Sequence, residues 1–345
     1  MVIAIMRQLT MTGPRDLQWQ EVPEPDIRGD PEALVRPLAV ATCDLDGAIV
    51  RGETPLQGPI ALGHEGVAEV LEIGAAVTSV KPGDRVVVPF QISCGECDRC
   101  RRGLTGSCER AGDLAMFGFG ALGGDWGGFL ADVVRVPFAD AMLVPAPPDV
   151  DPHAIASASD NIPDGYRAVA PYLAARPGAQ VLVLGGGGGG SIGLYATGIA
   201  VALGSERVTY YDRDPRRLGI ASDLGAEAVD ADPPYRGEHR YPVVVDAGAS
   251  RASLACACRS TEPGGDCTHV GILYEPETPV PLLEMYSTGM KLHAGRAMAR
   301  AEMPAVLDLV TSGRFDPSVV SDRVVPWEEA GAALLEPHTK LVFTR

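Results

Sequence analysis

Four cysteines, Cys94, Cys97, Cys100 and Cys108, fall within the run CGECDRCRRGLTGSC, spaced C-x2-C-x2-C-x7-C. Thiolates bind Zn2+ tetrahedrally at about 2.3 Å, and two-residue gaps let one short loop wrap its sulfurs around a single ion. An iron–sulfur cluster is the rival reading, because the first three cysteines also match ferredoxin spacing. That pattern places its fourth cysteine after three residues with proline next, whereas here seven residues intervene and Glu109 follows. The expectation is a structural zinc whose four thiolates leave no open coordination position. Catalysis must then sit elsewhere.

The six glycines at 185–190 follow the apolar stretch VLVL and precede SIGLYATGIAVAL. A glycine loop between a strand and a helix lets backbone amides at the helix N-terminus approach a pyrophosphate closely. The register of G-x-G-x-x-G falls either at Gly185, Gly187 and Gly190 or at Gly188, Gly190 and Gly193. An acidic residue that binds ribose is expected about 20 residues beyond the loop. Asp212, closing RVTYYD, fits the second register. Gly188, Gly190, Ser191, Ile192 and Gly193 are therefore the expected cofactor-binding residues, with Asp212 repelling a 2′-phosphate so that NAD(H) is preferred over NADP(H). Arg213 and Arg217 work against that preference.

These residues need elements to hold them. With 345 residues the chain can form two domains with separate cores. At 46% hydrophobic and 21% charged it reads as a soluble globular protein. A formal charge of -16 excludes nucleic acid and anionic membrane as partners and leaves a small-molecule substrate. MVIAIMRQLTMTGPRD lacks the features of a secretion signal. Neither does SIGLYATGIAVALG reach the ~18 apolar residues of a membrane span. Cys256, Cys258 and Cys267 are an odd remainder of thiols, which fits a reducing, cytoplasmic setting. Short alternating runs such as VAEVLEI and DRVVVPF, broken by KPGD, predict a barrel-like β domain. After VPAPPDVDP the pattern alternates strands with helices, as in a parallel α/β sheet. A helix (MPAVLDLVTSG) and the strand KLVFTR close the chain.

Cys43 in ATCDLDG, the triplet Gly63-His64-Glu65 and Asp160 in SASDNIPDGY are individually weak signals. Taken with the cysteine loop, VKPGDRV, the glycine loop, RDPRRL and KLVFTR, the chain resembles the zinc-dependent medium-chain dehydrogenase/reductase superfamily of the alcohol dehydrogenase type. The S-D-N-I-P-D-G-Y segment is similar to the branches related to formaldehyde and threonine dehydrogenases, in which Asp replaces the usual third cysteine ligand.

The resemblance implies an α/β protein with a GroES-like β-barrel catalytic domain (1–156, carrying the structural-zinc lobe), a Rossmann doubly wound parallel sheet (157–292) and a C-terminal return to the catalytic domain (293–345). It implies catalytic zinc on Cys43, His64 and Asp160, in a cleft between the domains. Glu65 would be an alternating ligand or nearby acid, and Asp46 an anchor behind the ligands. Two zinc ions per chain and a homodimer or homotetramer follow. The implied activity is hydride transfer between an alcohol or carbonyl substrate and NAD(H), with zinc as Lewis acid.

Two departures qualify that activity. The family's proton relay, a Ser or Thr and a His after the first zinc cysteine, is replaced by Leu45 and Ala48, and its T-G-Y by Asp164-Gly165-Tyr166. Either Asp44, Glu65 or zinc-bound water then manages the proton, or the chemistry avoids the relay, on a larger polyfunctional substrate or in the reductive direction on a carbonyl or iminium group. Alternatives are a lyase or isomerase using Glu65 or Asp44 as base, or a non-catalytic binding protein.

Overall fold

A computed structural model describes residues 4–232 and 239–345. The chain forms two compact units. One comprises Met1–Pro163, Met298–Thr311 and Ser321–Arg345, the other Asp164–Ala297 and Ser312–Val320. Compared with the expected limits at 156/157 and 292/293, the first boundary falls inside the helix Asn161–Ala175, and residues 312–320 group with the second unit.

The first unit is built on a seven-stranded sheet. Its order is Arg323–Pro326, Leu341–Thr344, Ala33–Ala41, Glu65–Ile73, Arg85–Val88 and Val144–Pro145, with Val134–Val136 also paired to Ala33–Ala41. A smaller sheet joins Asp16–Pro23, Ile5–Gly13 and Ile60–Ala61. Val35, Val40, Val86, Val88, Phe117, Phe129 and Phe343 are buried in one core. Each such side chain contributes about 1.5–3 kcal/mol on leaving water. The last strand matters to the site: Val342 pairs with Ala41 and Phe343 with Val40, antiparallel, so Lys340 is carried to the residues just beyond Ala41.

The second unit is a six-stranded parallel sheet ordered Glu227–Asp230, Val208–Asp212, Val181–Leu184, Tyr241–Asp246, Thr261–His269 and Lys291–Ala294. This is the expected doubly wound order, with the switch point beside Val181–Leu184, where ligands of such sheets bind. All four residues of that strand are buried, as a parallel strand covered on both faces requires. The helix Pro215–Asp223 starts at Asp214, whose carboxylate accepts from the backbone N–H groups of Arg216 and Arg217, with Pro215 at the first position.

Candidate metal centre and cofactor loop

Cys43 lies just past strand Ala33–Ala41, His64 immediately precedes strand Glu65–Ile73 and Glu65 opens it, and Asp160 stands between a short 3-10 helix and the helix Asn161–Ala175. These four residues, distant in sequence, offer ligand atoms that all lie within 4.8 Å of one another, and all four are buried. Gly63 makes the approach possible. Its φ is +86°, and a Cβ there would lie 2.9 Å from the backbone nitrogen of Leu130.

The donor set fits a cation. Both ring nitrogens of His64 and Oε1 of Glu65 are buried without a hydrogen-bond partner, a costly state unless something binds them. His64 Nε2 faces Asp160 Oδ2 at 3.5 Å, while Nδ1 faces Asp46 Oδ1 at 3.8 Å. Asp46 also accepts from the Cys43 backbone N–H at 2.8 Å, so the carboxylate that faces the His64 ring holds the backbone of a second candidate ligand. Burial raises the Cys43 thiol well above its usual range, and Asp160, Glu65, Asp46 and Asp44 raise it further. Burial likewise lifts Glu65 to about 8 although Lys340 opposes it. Burial would lower His64, but Asp46 and then Asp160 carry it to about 9. Burial thus drives the Cys43 and Glu65 shifts, while the crowded carboxylates add to both and raise His64, and a divalent ion would relieve that concentration of negative charge.

The Asp160 carboxylate accepts from the Asn161 side chain and faces the His64 ring. The rings of Phe119 and Phe90 flank His64 at 4.9 and 5.7 Å between centroids. Leu45 is half-buried against the core, and Ala48 follows within the helix Asp46–Arg51, so no hydroxyl or imidazole stands at either relay position.

Two groups at this centre escaped sequence reasoning. Lys340 is wholly buried and donates to Glu65 Oε2 at 3.1 Å, to Asn161 Oδ1 at 2.8 Å and to the carbonyl of Thr42. Asn161 in turn donates to Cys43 Sγ at 3.4 Å and to Asp160 Oδ2 at 3.1 Å. Asn161 lies within S-D-N-I-P-D-G-Y and Lys340 opens KLVFTR, but neither segment marks the residue as part of a metal centre. Their only sequence signal is position, Asn161 next to Asp160 and Lys340 at the head of the closing strand.

The four lobe cysteines form a second group whose sulfurs lie within the same 4.8 Å limit. Cys97 caps the short helix Asp98–Arg101, accepting from Cys100 N–H at 3.4 Å, and Cys108 accepts from Cys94 and Ala111 N–H groups at 3.4 Å. The backbone N–H groups of Cys100 and Glu109 lower the Cys97 thiol to about 6. All four are free thiols, which leaves them available to a metal.

In the second unit, the glycine loop ends at Gly190 (φ +83°), which starts the helix Ser191–Ala202. A Cβ on Gly187 would come within 2.4 Å of the Ala247 carbonyl, and one on Gly193 within 3.1 Å of Ala247 Cβ. Those contacts describe a cradle with its floor against the strand end at Asp246. Asp212 differs from expectation, because its acceptor positions are already used. It takes two bonds from Arg217 at 2.8 Å, one from the Tyr210 hydroxyl at 2.8 Å, and the N–H groups of Arg213 and Asp214. The cause is local: Arg217, in the first turn of the next helix, folds back onto the buried strand end. Arg213 points away to Asp230 and Asp232. Asp164 pairs with Arg167, so its charge is balanced within its own helix.

Comparison with known proteins places this geometry in context. Residues 29–148 match the model of the alcohol dehydrogenase GroES-like domain. A probable zinc-binding alcohol dehydrogenase of Mycobacterium tuberculosis is 30% identical, covering 94% of this chain and 83% of the relative. The glutathione-independent formaldehyde dehydrogenase of Pseudomonas aeruginosa is 34% identical over 65% of this chain and 58% of its own length. Among solved structures, an alcohol dehydrogenase from Thermus sp. ATN1 superposes with a TM-score of 0.90 at 30% identity, covering 98% of this chain and 99% of that one.

Proposed function

Because the chain belongs to the zinc-dependent medium-chain dehydrogenase/reductase superfamily, of the alcohol dehydrogenase type, it is an oxidoreductase of alcohol and carbonyl groups, and we propose that Cys43, His64 and Asp160 hold its catalytic zinc. The observation that carries this reading is the buried convergence of those residues around unpartnered His64 nitrogens. When bound, zinc supplies Lewis-acid polarisation of a substrate oxygen and the nicotinamide carries the hydride.

The residues of the chain do the rest. Asp46 steadies the Cys43 backbone and faces the His64 ring. Lys340 balances Glu65 and holds it by Oε2, which leaves the buried Oε1 without a hydrogen bond and available as a further ligand. Phe90 and Phe119 wall the His64 side with apolar surface, which excludes water and strengthens electrostatics there. Leu45 and Ala48 carry no proton, so Asp44 or Glu65 is the candidate proton group. Cys94, Cys97, Cys100 and Cys108 take a second, structural zinc.

For the cofactor, Gly188, Gly190, Ser191, Ile192 and Gly193 cradle the pyrophosphate, and the Asp212 charge favours NAD(H) over NADP(H). Binding a ribose diol at Asp212 requires Arg217 to release one of its bonds. A homo-oligomer is supported by Leu283 and Tyr286, which are 79% and 85% exposed, near the edge strand Lys291–Ala294.

The test is metal analysis of the isolated protein combined with reduced-nicotinamide absorbance on a panel of alcohols, polyols and aldehydes. Two zinc ions and net absorbance change are expected. Turnover of substrate without net absorbance change would point to the lyase or isomerase alternative.

A further inference from the structure

Asn161 is fully buried, and both ends of its amide are occupied by groups of opposite character. Lysine has donors only, so the Lys340 ammonium at 2.8 Å fixes the amide oxygen on its own side. The NH2 group is thereby turned the other way, toward Cys43 Sγ at 3.4 Å and Asp160 Oδ2 at 3.1 Å. The amide orientation thus follows from chemistry rather than from a choice between two similar atoms. Lys340 has no freedom to move off, being held also by Glu65 and the Thr42 carbonyl.

We propose that Asn161 is a positioning residue that spans the two anionic ligands Cys43 and Asp160, setting their separation and drawing charge from the Cys43 thiolate, with Lys340 fixing its orientation. The inference rests on the reading that Cys43, His64 and Asp160 bind the catalytic metal. A thiolate that accepts an N–H hydrogen bond donates less electron density to its metal, so the ion stays a stronger Lewis acid. An amide does this without adding charge. A carboxylate at the same place would repel both ligands, and an apolar side chain would leave Lys340 with one fewer acceptor in a dry interior. Partners behind metal ligands commonly matter by about 10- to 100-fold in metal affinity.

The test uses protein with cobalt(II) exchanged into the Cys43 centre and zinc retained on the four lobe cysteines. Cobalt bound to thiolate gives a charge-transfer band, assigned to Cys43 by its loss in Cys43→Ser. In Asn161→Leu, of similar volume, the band should move to longer wavelength, and cobalt should be lost to a competing chelator about 10- to 100-fold more readily. Lys340→Met, which frees the amide to turn, should move the band in the same direction. Should Asn161→Leu fail to fold, Asn161→Asp keeps the shape and the bond to Lys340 but removes the N–H donor to Cys43, and the same shift of the band is expected of it.

An unmoved band with unchanged affinity in the Asn161 variant overturns the proposal while leaving the metal reading intact. Absence in the unmutated protein of any cobalt–thiolate band sensitive to Cys43→Ser overturns the metal reading and the proposal together.

Discussion

Replacing Asp160 with Ala should remove one zinc per chain and abolish turnover, because its carboxylate faces His64 and is held by Asn161. Loss of a cap alone would cost about 1 kcal/mol and leave the metal in place. Elemental analysis beside thermal unfolding separates the two outcomes, and retention of both zincs with activity would return Asp160 to a structural role. Leu45 sets a second expectation. General acid–base assistance is typically worth about 10^2 to 10^4 in rate, so a chain with Leu45 and Ala48 at the relay positions should oxidise ethanol poorly. Leu45→Ser should raise that rate. Steady-state kinetics on ethanol decides it, since ordinary turnover by the unmutated protein would show that the missing relay is immaterial. At the cofactor end, NAD(H) should bind more tightly than NADP(H), and Asp212→Ala should narrow or reverse the gap. The structure changes the expected agent of that reversal from Arg213 to Arg217, because it is Arg217 that Asp212 holds. Calorimetric titration with both cofactors measures the gap, and equal affinities before mutation would remove Asp212 from the role.

Loops and turns carry their own tests. Gly186 and Gly187 are neighbours with different reasons to be glycine. Gly186 sits at φ +94° with open space around its missing Cβ, whereas a Cβ on Gly187 would strike the Ala247 carbonyl. Gly186→Ala should therefore cost about 1 kcal/mol of backbone strain. Gly187→Ala should displace the loop and weaken nicotinamide binding as well, which fluorescence titration would register. In the lobe, Cys97→Ser should release one zinc and lower the melting temperature, because the binding energy of a closed thiolate site is part of folding. The short helix Ala139–Met142 is tied down by Asp140, which accepts from the backbone and hydroxyls of Thr78 and Ser79. Slight burial raises its carboxyl, but Ser79 and Thr78 outweigh this and hold it at about 2. A depressed carboxylate stabilises above its unfolded value and loses that contribution as pH falls through about 2. Asp140→Ala should thus destabilise at neutral pH by about 1 kcal/mol, a deficit that shrinks toward pH 2 in denaturant titrations.

For the molecule as a whole, Leu282, Leu283 and Tyr286 are exposed on the helix Leu282–Thr288, and the proposed homo-oligomer would use that surface. Leu283→Glu should shift the protein to smaller species in sedimentation analysis, and an unmutated protein already monomeric would dismiss that surface. No helix among the described residues is long and apolar enough to cross a membrane. How far the chain announced all this depends on the range of each signal. The cysteine lobe and the glycine loop are local patterns, in which spacing over a few residues constrains geometry, so sequence by itself makes them legible. Cys43, His64 and Asp160 were legible only as a set, since none is informative until the others accompany it. The parts played by Lys340 and Asn161 lay beyond reach, although each sits in a segment that carries the resemblance. A buried ammonium is costly unless paired, and its partners here come from residues 275 and 179 positions away. Strand pairing of Val342 with Ala41 decides that meeting. The bonding of Asp212 was hidden for a related reason: sequence shows which charges are near in the chain, and only the packed structure decides which of two arginines, Arg213 or Arg217, turns back onto the buried carboxylate.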